Sequence, residues 1–317
     1  MESENKRIVK NTLMLYFRQI LILLTSLYTV RIVLQALGAE DYGIYNVVAG
    51  TVTMFGFLTN SLAGASQRFF SFELGQGNCE SLQKIFSLML AIYILLAITI
   101  LFFAETVGLW FVKNKLTIPA TRINAAVWVY QASIFSFIIS ILTTPYMAAI
   151  IARENMKIYA YASVIEAILK FLVALSLSFM PDKLIAYGFL LLIITFLNTA
   201  VYRIYCGKHY KECHFVFYWD KEKFKEIVSY SCWNLFGSSI SIIKNQIMNI
   251  LLNIFFNPVV NAARSISVQV NNAVNSFAGN FTTAMRPQII KQYAAGKNDK
   301  AIQLVFYGCK YTFFLMY

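Results

Sequence analysis

Long apolar stretches separated by short polar segments are the feature that most restricts how this chain can fold. We place them at roughly residues 12–37, 42–65, 85–111, 123–150, 158–180, 184–206, 227–256 and 259–285, with a ninth beginning near residue 301. A helix of about 20 apolar residues crosses the hydrocarbon core of a bilayer, and in lipid the backbone polar groups must bond within the segment. The sequence therefore predicts an all-α integral membrane protein, a polytopic helical bundle.

Composition and charge support the membrane assignment. Hydrophobic residues make up 58% of the chain and charged residues only 13%, whereas soluble domains carry about 25% charged residues. The net charge of +12 lies mainly between the apolar stretches, which favours anionic lipid or an anionic lipid-linked substrate over nucleic acid. The five cysteines are scattered, and we expect free thiols.

The distribution of Lys and Arg predicts that the N-terminus lies in the cytoplasm. With that orientation the cytoplasmic segments carry 17 of the 27 Lys and Arg residues and the outer segments carry 5, in keeping with the positive-inside rule. The first apolar stretch is too long for a cleavable signal and contains Arg18 and Arg31, so we do not expect cleavage.

The segment LQALGAEDYGIYNVV interrupts the apolar pattern and predicts a turn between the first two spans. Gly38 can end a helix, Glu40 and Asp41 favour the N-terminus of the next helix, and Gly43 permits close packing.

Two segments about 219 residues apart resemble each other: ASQRFFSFELGQGNCESLQKIFS and AMRPQIIKQYAAGKNDKAIQLVF. This spacing predicts a parallel internal repeat, with a six-helix lobe over 1–215 and the start of a second lobe over 216–317.

Two motifs, LGAEDYGIYNV and SQRFFSFELGQGN, follow a basic N-terminus and a first apolar stretch with internal arginine. In this order they resemble the Wzx-type polysaccharide and O-antigen flippases of the multidrug/oligosaccharidyl-lipid/polysaccharide (MOP) superfamily. The resemblance implies a MATE/MOP-like fold of two six-helix lobes around a central cavity, with the second lobe truncated here after about three helices. It also implies transport of undecaprenyl-pyrophosphate-linked sugars across the bacterial inner membrane, for surface polysaccharides such as lipopolysaccharide.

Ionisable residues within the apolar spans mark the candidate substrate path, because each costs about 2.5–3.5 kcal/mol to insert. Cations outnumber acids there, which suits an anionic substrate, since Arg and Lys bind phosphate oxygens. Arg18 shares a helix face with Thr25 and Thr29; its alternative role is to reach back to the cytoplasmic interface. Arg31 lies near the outer end, where an interfacial anchor is the alternative, while the flippase resemblance implies that it faces the cavity.

The seventh and eighth spans are unusually polar for helices that face lipid. The seventh repeats Asn and Ser every three or four residues beside Lys244, and the eighth combines Arg264 with several amides. We interpret these flanks, and a smaller one around Asn60, as walls of a water-filled cavity; the alternative is hydrogen bonding between helices, worth about 0.6–2 kcal/mol per contact. The residues expected to bind substrate are Arg18, Arg31, Asn60, Lys244, Asn245, Asn249, Arg264, Asn271 and Asn275.

Glu166 and Lys170 are spaced i, i+4 in the fifth span. They are either a self-neutralising ion pair or a site that couples transport to a proton or cation, since a desolvated Glu can titrate near neutrality.

The segment CGKHYKECH contains Cys and His but matches no zinc spacing. Both histidines lie in this loop, and we find no nucleophile–base arrangement. We therefore expect a non-enzyme without cofactor or metal.

These observations predict a flippase that works by alternating access. Its partners would be a polyprenyl-pyrophosphate-linked oligosaccharide, membrane lipids and polysaccharide assembly enzymes, and not nucleic acid. One alternative is a MATE-like drug or cation antiporter, which would need acids in spans 1, 2, 7 and 8, where the sequence has none. Another is a membrane polysaccharide polymerase or ligase, which would usually need a larger polar outer loop. A third is an inactive, truncated product.

Overall fold

A computed structural model describes residues 2–53, 55–116, 118–255 and 258–316, and in these ranges all the regular structure is helical. Short 3₁₀ turns follow α6 and α7, and a π-helical turn, Ala104–Gly108, lies between α3 and α4. The helices are α1 Glu2–Thr53, α2 Gly56–Gln76, α3 Cys79–Phe103, α4 Leu109–Asn114, α5 Ile123–Ala152, α6 Met156–Ser176, α7 Lys183–His209, α8 Lys221–Phe255, α9 Pro258–Ala294 and α10 Asn298–Met316.

The turn predicted at Gly38 is confirmed. Gly38 has φ 78° and ψ 169°, so α1 is two helices that meet at this residue. Only glycine adopts such a conformation without strain. Asp41 binds Arg122 at the start of α5, with 2.9 Å between Arg122 Nε and Asp41 Oδ1, and the same guanidinium donates to Asp182 Oδ2 at 3.1 Å. Through Arg122, Asp41 therefore connects the start of the second part of α1 with the starts of α5 and α7.

The second predicted span, 42–65, is not one helix. The second part of α1 ends at Thr53 and α2 begins at Gly56. Phe55 lies in the turn between them, and its carbonyl oxygen accepts a hydrogen bond from the backbone N–H of Leu58. Val52, Thr53 and Gly56 are weak helix formers, which explains why the helix breaks here. The segment continues to Gln76, well beyond the predicted end.

The third span is also irregular, because α3 passes through the π-helical turn before α4. The Tyr130 hydroxyl on α5 donates a hydrogen bond of 2.7 Å to the Ala104 carbonyl oxygen. A Cβ at Gly108 would overlap that hydroxyl. A side chain inserted into the backbone ladder is a known cause of such a bulge, and Gly108 leaves the space that it needs.

The 219-residue spacing recurs in the backbone. Gly77 after α2 and Gly296 after α9 both have φ 74°, and α3 and α10 begin at Cys79 and Asn298. The related helices α2 and α9 also touch: a Cβ added at Gly75 would lie 2.6 Å from the Lys291 carbonyl oxygen. The lobe boundaries at 215 and 216 stay a prediction, and below we call α1–α7 the first helix group and α8–α10 the second.

Two apolar clusters form the core of the first helix group. One joins α2, α3 and α5 around Phe70, Phe86 and Tyr93, and the other joins α1, α5, α6 and α7 around Tyr130 and Leu184. Large apolar side chains are also exposed along the outer faces of these helices, as expected for surfaces that meet lipid. In the described part of the chain, five segments are long and apolar enough to cross a membrane: Lys6–Val52, Cys79–Asn114, Ile123–Ala152, Met156–Phe179 and Lys183–His209.

Candidate functional site: a polar cavity and a buried arginine

A cavity of about 450 Å³ lies inside the first helix group, between the second part of α1 and helices α5, α6 and α7. Its wall carries a stripe of hydroxyls along one face of α5, spaced 3, 4, 3 and 1 residues apart. The neighbouring faces of α6 and α7 add Tyr159, Thr199 and Tyr202. The hydroxyls of the α5 stripe belong to Ser133, Ser136, Ser140, Thr143 and Thr144.

Most of these hydroxyls are bonded within their own helices. Ser133 and Ser136 each donate to the carbonyl four residues earlier at 2.8 Å, which is the usual way a helix satisfies Ser. Thr143 and Thr199 meet across the cavity wall with 2.6 Å between their hydroxyl oxygens. The stripe is visible in the sequence as a helical spacing, and our sequence reasoning missed it because it looked for charges and amides.

Glu166 and Lys170 both line this cavity. Lys170 Nζ donates to Glu166 Oε1 at 2.6 Å, and Asn198 Nδ2 donates to Glu166 Oε2 at 2.7 Å. Both carboxylate oxygens of Glu166 therefore have a hydrogen-bond donor. The i, i+4 pair is present as predicted, and its role in coupling stays a prediction.

Arg18 is buried between the two helix groups, with 9% of its surface exposed. One guanidinium nitrogen donates to Asn280 Oδ1 on α9 at 3.1 Å, and the guanidinium lies 4.5 Å from the ring centroid of Tyr159 on α6. Tyr159 also lines the cavity. Arg18 Nε is buried with no hydrogen-bond partner in the part of the chain that the structure describes.

The remaining predicted residues whose side chains the structure describes lie outside the wall of this cavity. Arg264 is half-buried, and one of its terminal nitrogens is buried without a hydrogen-bond partner among the described residues. Asn275 donates to Asn271 at 2.6 Å on an exposed part of α9. The exposed side chains are those of Arg31, Asn60, Lys244, Asn271 and Asn275. The side chains of Asn245 and Asn249 lie outside the described residues.

Glu154, in the turn between α5 and α6, was missed by sequence reasoning. Its side chain is only 1% exposed. The carboxylate accepts from Arg7 at 2.5 Å, from Lys291 at 2.7 Å and from Gln288 at 2.9 Å. Its φ of 61° is unusual for a residue other than glycine. The partners come from both helix groups and lie far from Glu154 in the sequence, so no local sequence pattern predicts this contact.

Comparison with protein families finds a match over most of the chain: a family model described as polysaccharide biosynthesis protein covers residues 8–292. No curated protein matches the sequence. Among solved structures, a MATE protein in complex with MaD3S is similar with a TM-score of 0.85 and 12% identity, over 98% of this chain and 71% of that one.

Two further solved structures share the fold. An outward-facing multidrug resistance MATE family transporter of the MOP superfamily has a TM-score of 0.84 at 12% identity, over 98% of this chain and 70% of that one. A MOP superfamily transporter from Pyrococcus furiosus, described by a binding pocket of reverse polarity that suggests a different function, has a TM-score of 0.74 at 12% identity and the same coverage. The fold is therefore that of the MATE transporters.

Proposed function

Because this chain belongs to the polysaccharide biosynthesis protein family and has the fold of MOP superfamily transporters, we propose that it transports a polyprenyl-pyrophosphate-linked oligosaccharide. The lipid-linked sugar would pass from the cytoplasmic to the outer leaflet of the bacterial inner membrane by alternating access. The surface polysaccharide built from it would include O-antigen-type chains, and the enzymes that assemble them would be neighbours of the protein. The proposed orientation, with the N-terminus in the cytoplasm, follows the Lys and Arg distribution.

Arg18 is the observation that carries this proposal. A buried cation is costly unless an opposite charge compensates it, and no carboxylate pairs with Arg18 among the described residues. Its free Nε can donate to one more oxygen, and phosphate groups accept such bonds in a planar, bidentate geometry. A pyrophosphate headgroup supplies both the charge and the acceptors that Arg18 lacks.

The position of Arg18 also suits alternating access. Movement of the two helix groups against each other would break the Arg18–Asn280 contact and expose the guanidinium to a headgroup. The polyprenyl tail would stay in lipid while the sugar crosses between the groups. An inside-negative potential would favour export of the anion, by about 2.3 kcal/mol per charge per 100 mV.

The test is transport of a fluorescent polyprenyl-diphosphate sugar in proteoliposomes, measured by its accessibility to dithionite. We expect Arg18→Ala to reduce transport at least tenfold and Arg18→Lys to keep part of it, because Lys retains the charge but not the planar donors. Lys113→Ala, which removes an exposed cation at the far end of α4, is the control and should transport normally. A wild-type rate for Arg18→Ala would contradict the proposal.

An antiporter of drugs or cations is the second candidate, and the Glu166 cavity is the observation that favours it. A carboxylate held by Lys170 and Asn198 in a polar cavity is a reasonable site for a coupling cation or proton. In the same proteoliposomes, an antiporter would take up a cationic dye against a proton or sodium gradient. Dye uptake without movement of the lipid-linked sugar would favour this candidate.

A further inference from the structure

A second cavity, of about 370 Å³, lies at the end of the helix bundle where α1 and α6 begin, outside the predicted apolar spans. Four cations line it: Arg7, Lys10, Arg153 and Lys157. Among the described residues of its wall, Glu154 is the one acid. The cavity is separate from the polar cavity in the first helix group, which contains Glu166.

The acids whose side chains the structure describes do not neutralise this cavity. Glu154 is shared between Arg7 and Lys291, so one carboxylate serves two cations. Arg153 is paired with Glu212. Lys10 and Lys157 are exposed, and within the described ranges neither is paired with a carboxylate. Within the described part of the chain, a positive charge that is not compensated therefore lines a concave surface.

The N-terminus of α6 opens beside the same cavity. Asn155, the residue before this 21-residue helix, makes no side-chain cap to the first-turn N–H groups. Its amide donates instead to the Tyr205 hydroxyl at 2.7 Å. The positive end of a helix attracts anions, and Lys157 in the first turn adds charge of the sign that the helix dipole disfavours. An anion bound in the cavity would compensate both the positive end of α6 and the charge of Lys157.

We propose that this cavity binds a phosphate group carried by a lipid. Its position next to the ends of the apolar spans places it at the level of lipid headgroups, where Lys and Arg clusters attract anionic headgroups. The phosphate comes either from an anionic phospholipid of the bilayer or from the diphosphate of a lipid-linked sugar. The chemistry is the same for both, and the site does not depend on the transport proposed above.

Binding is measured on the purified full chain in nonionic detergent by titration with three probes. Dioctanoyl phosphatidylglycerol represents the anionic phospholipid, farnesyl diphosphate represents the prenyl diphosphate, and dioctanoyl phosphatidylcholine is the zwitterionic reference. The test variant is Lys10→Gln combined with Lys157→Gln. Its matched control is Lys113→Gln combined with Lys115→Gln, which removes two exposed lysines at the end of α4 that do not line this cavity.

We expect the Lys10/Lys157 variant to bind the anionic probes at least tenfold more weakly than the wild type, and the control to bind them normally. Lys157→Glu, which also lowers the charge by two units, should weaken binding to a similar extent while eluting as the wild type does in size exclusion, which separates loss of charge from loss of fold. Binding of the diphosphate alone assigns the site to the lipid-linked sugar, and binding of phosphatidylglycerol alone assigns it to bilayer lipid. The proposal is overturned if neither anionic probe binds better than phosphatidylcholine, or if the Lys10/Lys157 variant binds as the wild type does.

Discussion

Lys291 on α9 donates a hydrogen bond of 2.7 Å to Glu154 in the turn before α6, and this partly buried ion pair joins residues 137 positions apart. Glu154 also holds Arg7 and Gln288. The first and second helix groups are thus connected at this end through one carboxylate. Arg18 and Asn280 form another connection, deeper in the bundle.

Replacing Glu154 should destabilise the contact between the helix groups. We expect Glu154→Gln to lower the free energy of unfolding by about 3 kcal/mol, because loss of one partner leaves Lys291 buried without its counter-charge. Arg7 is half exposed and adds little. Denaturant unfolding in detergent measures the change. Glu80→Gln, which breaks the exposed Glu80–Lys84 pair, should leave stability unchanged; equal losses in both variants would contradict the special role of Glu154.

Stability at alkaline pH should depend on Lys291, which lies beyond the predicted apolar span. Burial lowers the pKa of Lys291 below its ordinary value, and the charge of Glu154 opposes part of this shift. The folded protein therefore releases this proton at a lower pH than the unfolded chain does. Between the lowered pKa and the ordinary value near 10.5, the unfolded chain binds more protons, so this group adds stability as pH rises. Melting temperatures of wild type and Lys291→Met across this range should show a less positive slope in the variant.

Arg264 should matter for transport and not for folding. One terminal nitrogen is buried without a hydrogen-bond partner among the described residues, so Arg264→Ala removes no hydrogen bond made by that atom. We expect Arg264→Ala to abolish surface polysaccharide while the amount of protein in the membrane stays normal. Polysaccharide staining and quantitative blotting of membranes measure the two quantities. Normal surface polysaccharide in this variant would remove Arg264 from the substrate path.

Glu166 should be needed if transport is coupled to a cation. Glu166→Gln keeps the size of the side chain and can still accept a bond from Asn198, but it cannot carry the charge. We expect a proton or sodium gradient to raise the transport rate of the wild type and to leave the transport rate of Glu166→Gln unchanged. Ser133→Ala changes another residue of the same cavity and should keep the gradient response. A response that survives in Glu166→Gln would show that coupling lies elsewhere.

The irregular turn in the third span gives a test of packing. Gly108→Ala places a methyl group on the Tyr130 hydroxyl, and we expect a loss of about 1–3 kcal/mol in unfolding free energy from overpacking. Tyr130→Phe in the same chain should recover part of this loss, because it removes the overlapping atom. Gly207→Ala, where a Cβ meets nothing within 4 Å, should be neutral or slightly stabilising. An additive double variant would argue against the Tyr130 contact as the cause.

The sequence predicted what depends on local pattern. Apart from the broken second span and the irregular third, helices cover the predicted apolar spans, and the turn at Gly38 and the 219-residue recurrence around Gly77 and Gly296 are found in the structure. All five cysteines are free, as expected from their scatter. These features follow from residues that are neighbours in the chain, or from a spacing that can be counted along it.

Features that depend on contacts between distant helices were missed or only partly predicted. The bulge at Ala104 requires a hydroxyl from Tyr130, 26 residues later. The break between Thr53 and Gly56 competes with an apolar pattern that favours a continuous helix. Arg18 was singled out from the sequence, whereas its partner Asn280 is 262 residues away and was not among the expected site residues. The assignment of substrate-binding residues on α8 and α9 stays a prediction.

The contact at Gly75 restricts how passage at its end of the bundle can be controlled. No side chain of α2 stands between Gly75 and the backbone of Lys291, so no change of rotamer at this point can open a gap. Water or a headgroup can pass there only when α2 and α9 separate as whole helices. At this end the two helices can therefore separate only as rigid bodies. In Gly75→Ala the added Cβ would push the backbones of α2 and α9 apart, and their separation in that variant would show how far the helices must move.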